Sequence, residues 1–246
     1  MDRWNNKFAI VTGASSGIGL ELVKALVKNN VNVFGLARRM EKMEKLKINL
    51  KNERGEFYPI KCDLSNEGDI LTAFRWIEEN FKTIDILVNN AGITTSEFLI
   101  DSTAENLKNI LDVNLIAPII CTREAVRIMR ANNIDGHIIY INSMSGHRVP
   151  FWNNTTFNIY SPSKFALKQM SELTEMKLKE AKNCTKVTTI FPGLVKTEMP
   201  PDDLFGQTSF IDPEDICNAI IYALKTPPHV QIKELTITPL AGYERK

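Results

Sequence analysis

The chain has 246 residues, 43% of them apolar and 24% charged, which is enough to bury a substantial core. Its formal net charge of +1 removes any electrostatic case for nucleic acid or an anionic membrane as partner. The four cysteines (Cys62, Cys121, Cys184 and Cys217) are scattered, with no C-x-x-C and no clustering with histidine, which points to reduced thiols and away from a zinc site.

In chain order, the opening MDRWNNK runs straight into an apolar stretch and leaves no room for a secretory leader. No apolar run approaches the length of a bilayer span, so a cytoplasmic protein is expected. The Asn-x-Thr sequons at Asn153, Asn154 and Asn183 accordingly carry little weight. Short β-branched runs stand at residues 8–11, 31–36, 57–60, 84–88, 137–141, 186–191 and 234–238. Helix-like segments lie between them at 18–29, 40–51, 67–80, 104–131, 163–181 and 213–225. Most of the strand runs are apolar throughout rather than alternating, as strands covered on both faces are. This alternation predicts a doubly wound α/β fold, a parallel sheet of about seven strands with helices on both faces. No repeat or Pro/Gly linker divides residues 1–246, which therefore read as one domain.

Directly after the first strand comes TGASSGIG, residues 12–19, with glycines at Gly13, Gly17 and Gly19. A strand–glycine loop–helix turn lets backbone N–H groups approach a diphosphate, and the helix terminus adds positive partial charge. The same residues fit the G-x-S-x-G elbow of a serine hydrolase, with Ser15 as nucleophile. That elbow belongs on a strand inside its sheet, after strands that supply part of the oxyanion hole, whereas this strand is the first. The dinucleotide reading is preferred. The second strand ends VFGLARR. NAD-binding folds place an acidic residue at that point for the ribose, but here Ala37 is followed by Arg38 and Arg39. Guanidinium groups suit a 2′-phosphate, so NADP(H) is the expected cofactor.

Further along stand CDLS (62–65), NNAG (89–92), DVNL (112–115), INSMSG (141–146), Tyr160 four residues before Lys164, and PGLVKT (192–197). With the glycine loop, this ordered set resembles the classical short-chain dehydrogenases/reductases over nearly the whole length. The ARR ending, SMSGHR and the compact C-terminus resemble the farnesol-dehydrogenase-like branch in particular. The resemblance implies a Rossmann-type fold and an NADP(H)-dependent oxidoreductase acting on an apolar alcohol or carbonyl compound, isoprenoid or steroid-like.

It also implies roles. Gly13, Ser15, Ser16, Gly17, Ile18 and Gly19 would line the diphosphate, and Arg38 and Arg39 the 2′-phosphate. Asp63 and Leu64 would hold the adenine, with Asn90, Ala91 and Gly92 beside the cofactor. Pro192, Gly193, Val195 and Thr197 would hold the nicotinamide carboxamide. Tyr160 would pass a proton to or from the substrate oxygen while hydride moves to or from the nicotinamide. Lys164 would lower the tyrosine pKa and bind the ribose, Ser143 would hydrogen-bond the substrate oxygen, and Asn114 would hold a relay water. Ser143, Ser145, Phe151, Trp152, Tyr160, Leu194, Met199, Leu204 and Phe205 are the expected substrate contacts, with a lid at about 196–212. Homodimers or homotetramers through 104–131 and 163–181 are implied as well, and a catalytically silent NADP(H)-binding regulator is the alternative.

Pro162, between Tyr160 and Lys164, reads as a first helical residue and would leave Tyr160 outside the helix. A helix capped at Asn158, distorted in its first turn and lacking one hydrogen bond, reconciles the two.

Overall fold

The computed structural model describes residues 1–95, 97–149, 158–199 and 209–240. Seven strands form one sheet: β1 (Phe8–Thr12), β2 (Asn32–Ala37), β3 (Phe57–Lys61), β4 (Ile86–Asn89), β5 (His137–Ile141), β6 (Lys186–Pro192) and β7 (Glu234–Ile237). Their spatial order is β3-β2-β1-β4-β5-β6-β7 and every pairing is parallel. Chain order reverses between β1 and β4. In open sheets of this kind ligands bind at such a reversal, beyond the carboxyl ends of the strands.

The helices are α1 (Gly17–Lys28), α2 (Met40–Asn49), α3 (Glu67–Phe81), α4 (Ala104–Leu111), α5 (Ala117–Ala131), α6 (Tyr160–Glu180) and α7 (Pro213–Lys225). Alternation along each strand feeds two cores. Ala9 and Val11 of β1 pack with Leu22 and Leu26 of α1 and Ile220 of α7 on one face. Ile10 meets Phe74 of α3 and Ile128 of α5 on the other. All residues of β4, β5 and β6 are buried, which is why those runs show no regular polar alternation; among their polar members, His137 and Thr188 are hydrogen-bonded to each other within the sheet. Among the described residues, no helix is long and apolar enough to cross a membrane.

Two helical expectations are refined. Residues 104–131 are helical throughout, but a π-helical turn, Asp112–Ile116, separates α4 from α5 and carries Asn114. Such turns insert a residue into the helix and recur at functional sites. The segment expected to begin at 163 begins at Tyr160, with Ile159 as N-cap.

Candidate active site

The glycine loop departs from the end of β1. Gly13 and Gly17 have φ of +70° and +54°, a region that side chains other than glycine rarely tolerate. A Cβ on Gly19 would stand 2.3 Å from Gly13 O, so the loop and the first turn of α1 touch backbone to backbone. Ser16 is the N-cap of α1, yet its hydroxyl makes no cap bond. The first N–H groups of α1 therefore lack a side-chain acceptor, and the terminus suits an anion. The Ser15 hydroxyl accepts from Arg39 Nε at 3.1 Å, an arginine rather than the histidine a hydrolase requires.

The turn after β4 is stitched to this loop through Thr12. Asn90 N–H and Ala91 N–H donate to Thr12 Oγ1 at 2.9 and 3.0 Å, and Asn90 Nδ2 donates to Thr12 O at 2.8 Å. Thr12 escapes sequence reasoning because a threonine at a strand end looks like any β-branched residue.

At the carboxyl end of β5, Asn142 Oδ1 accepts from Ser143 N–H at 2.9 Å, and Asn142 Nδ2 donates to Lys164 O at 3.1 Å. One asparagine thus ties the serine to the tyrosine helix. Ser145 N–H donates to Ser143 Oγ at 3.1 Å. Tyr160, the first residue of α6, is 8% exposed, and the Ser143 hydroxyl lies close enough to favour its phenolate. Lys164 follows one turn later, its Nζ 5.6 Å from the Tyr160 ring centre and donating to Ile141 O at 3.0 Å. Asn114 is fully buried; its Oδ1 accepts from Ile93 N–H at 2.8 Å, and its Nδ2 donates to Ile93 O at 2.9 Å and Ser163 Oγ at 3.1 Å. A Cβ on Gly92 would lie 3.5 Å from Asn114 Oδ1, 3.6 Å from Lys164 Nζ and 3.7 Å from Met199 Cε. The four residues expected to be catalytic are therefore brought together, and Gly92 and Met199 join them.

Pro162 costs less than the sequence suggests. It is the third residue of α6, and the first bond back along the helix runs from Ser163 N–H to Ile159 O at 2.9 Å. A nitrogen at that position has no intrahelical acceptor, so the expected missing hydrogen bond does not exist. Asn158 is not the cap either. It has φ +39°, and its Oδ1 accepts from the adjacent Ile159 N–H.

Burial pushes the Tyr160 phenol above its ordinary value, and the neighbouring Ser143 hydroxyl, which pulls the other way, does not offset it. Burial also lowers Lys164 to about 8.

On the cofactor side, burial raises Asp63, but hydrogen bonds from Ser65 N–H and Oγ, with Arg38 beyond, outweigh it and hold the carboxyl below its usual range. Leu64 beside it is buried. Pro192 ends β6, and Gly193 N–H donates to Ile237 O at 2.7 Å. Leu194 and Val195 are buried, and Val195 bridges Ile211 in parallel fashion. Thr197 Cγ2 lies 3.0 Å from the place a Cβ on Gly17 would take, so PGLVKT reaches the glycine loop. Phe151, Trp152, Leu204 and Phe205 lie outside the described residues, as does 200–208 of the expected lid. Among the described residues, no cluster of His, Cys, Asp and Glu is arranged to hold a metal ion.

The sequence profile described as short chain dehydrogenase matches residues 7–203. The chain is 42% identical over 243 residues to farnesol dehydrogenase of Aedes aegypti, covering 98% of each. It is 39% identical over 252 residues to dehydrogenase/reductase SDR family member 11 of Bos taurus, covering 97% of this chain and 98% of the relative. Among solved structures, a short chain dehydrogenase from Burkholderia cenocepacia J2315 in complex with NADP superposes with a TM-score of 0.85 at 25% identity, covering 96% and 98%.

Proposed function

This chain belongs to the short-chain dehydrogenase family, and from that premise we propose that it is an NADP(H)-dependent oxidoreductase interconverting an apolar alcohol with its aldehyde or ketone. The observation that carries the reading is Tyr160 set beside the Ser143 hydroxyl, which favours its phenolate, with the Lys164 ammonium 5.6 Å from the ring. The cradle fits a nicotinamide dinucleotide. Gly13 and Gly17 keep side chains off the loop beside an α1 terminus that lacks a side-chain cap, Gly19 packs the loop onto that helix, and PGLVKT lies across it. When bound, the nicotinamide supplies hydride transfer.

The chain's own residues do the rest. Ser143 donates to the substrate oxygen, where charge grows in the transition state. Tyr160 gives that oxygen its proton in reduction and takes it in oxidation. Lys164 holds the ribose and, with the positive charge of the oxidised ring, favours the phenolate that the free protein disfavours. Asn114, already bonded to both N–H and C=O of Ile93, holds the relay between Lys164 and solvent. Met199 and Leu194 offer apolar surface to an isoprenoid or steroid-like substrate. Exposed Ile116, Phe165, Leu173 and Met176 on the α5 and α6 side suit burial in a homodimer or homotetramer.

The test is a panel of apolar alcohols and ketones followed at the nicotinamide absorbance with each cofactor. Charge-assisted bonds to a 2′-phosphate of about 1.5–3 kcal/mol imply a preference for NADP(H) of roughly ten- to a hundredfold. Equal use of NAD(H) and NADP(H) would refute the cofactor assignment, and an inert panel the substrate class.

A further inference from the structure

Arg39 does not project freely into solvent. Its Nε and Nη2 donate to Ser15 Oγ at 3.1 Å and Ser16 Oγ at 2.5 Å, which pins the guanidinium against the glycine loop. Its remaining edge is taken by an anion from the segment that follows β6: Nη1 donates to Glu198 Oε2 at 2.6 Å. The other oxygen of the same carboxylate, Oε1, accepts from Lys42 Nζ at 2.8 Å. Arg39 and Lys42 are three residues apart at the start of α2, so both cations point the same way. Glu198 is remote in sequence and directly follows Thr197, whose methyl approaches Gly17. A carboxylate thus sits between two cations at the end of β2, where dinucleotide folds read the adenosine ribose. Its exposed flanks leave room for exchange: the Arg39, Lys42 and Glu198 side chains are 43%, 47% and 59% exposed.

We propose that Arg39 and Lys42 form the subsite for the adenosine 2′-phosphate and that Glu198 is its built-in competitor, displaced when NADP(H) binds. The proposal rests on the NADP(H) reading and deepens it by adding Lys42 as a phosphate contact and Glu198 as a determinant of cofactor discrimination. Two anions cannot share the two cations without strong repulsion, and a dianionic phosphate outcompetes a carboxylate. The hydrogen bonds from Lys42 and then Arg39 hold Glu198 down at about 2, so it competes as a full charge throughout the physiological range. An exposed, screened pair of this kind is weak enough to yield to ligand. Because Ser15 and Ser16 fix the guanidinium beforehand, little ordering is left for the ligand to impose.

The experiment is calorimetric titration of the full chain with 2′-AMP, 5′-AMP, NADPH and NADH. Glu198→Gln is expected to tighten 2′-AMP and NADPH about three- to tenfold, with 5′-AMP and NADH within about twofold. Lys42→Met is expected to weaken 2′-AMP and NADPH about tenfold, again sparing the other two. Thermal melts of each free variant confirm folding. If the wild type prefers NADPH but Glu198→Gln leaves 2′-AMP unchanged, or moves NADH equally, the competitor assignment is overturned while the NADP(H) reading stands. If Lys42→Met does not weaken 2′-AMP, Lys42 is not a phosphate contact. A wild type that binds NADH as well as NADPH overturns both readings.

Discussion

Tyr160→Phe is expected to lower turnover by about a thousandfold or more while leaving NADPH affinity within about twofold. The substitution keeps the ring of a residue that is 8% exposed at the start of α6, and removes only the hydroxyl beside Ser143. Binding and chemistry should therefore separate. Cofactor fluorescence titration reads the first and single-turnover absorbance the second. The pH dependence gives an independent check. Oxidation needs the phenolate, so its rate should rise with pH and level off; reduction needs the phenol and should fall over the same range. Burial raises this group in the free protein, so an ionisation below the ordinary tyrosine value must appear in the cofactor complex and vanish in the phenylalanine variant. Near-normal turnover by Tyr160→Phe would make the residue a packing tyrosine.

Lys164→Met should move stability and activity in opposite directions. Lys164 titrates at about 8 instead of 10.5, because a buried ammonium is disfavoured. The unfolded chain binds that proton more tightly than the folded one. The penalty is therefore full below about pH 8 and fades between about 8 and 10.5. Removing the charge relieves roughly 3 kcal/mol at pH 7, partly offset by leaving Ile141 O without its donor, about 1–3 kcal/mol. The cofactor-free variant should thus melt roughly 2–5 °C higher at pH 7, with the gap closing towards pH 10, while cofactor binding and turnover both collapse. A lower melting temperature at pH 7 would mean that the ammonium stabilises the free fold.

The fold is readable because its inner strands are buried on both faces. Runs such as 137–141 and 186–191 have no polar alternation to confuse with an edge strand, and each is closed by a turn motif. The site residues were readable as motifs at strand ends, and Asn114, Ser143, Tyr160 and Lys164 do converge. What escaped the sequence has physical reasons. The π turn at Asp112–Ile116 alters the helical period over five residues only, too few to disturb the apolar pattern of 104–131. Start signals favour Ser161 as cap and hide the start of α6; Tyr160 does lie in its first turn, as the reading capped at Asn158 has it, but the N-cap is Ile159, with no side-chain cap. Thr12, Asn142 and Ser163 act through hydrogen bonds to residues 20 or more positions away, or to a neighbour's backbone, and short polar residues at strand and helix ends carry no pattern of their own. Arg39 and Glu198 meet across 159 positions, and nothing local in either segment marks the pair.

The most direct measurement of the proposed activity uses an apolar primary alcohol of isoprenoid type, deuterated at C1, incubated with the protein and oxidised NADP in ordinary water. Mass spectrometry of the reduced cofactor should show one deuterium per molecule, delivered to a single face of the ring, with the aldehyde formed in equal amount. The Tyr160→Phe variant should form neither at a comparable rate. Reduced cofactor that carries solvent hydrogen instead of the label, or aldehyde formed without reduced cofactor, would contradict the account.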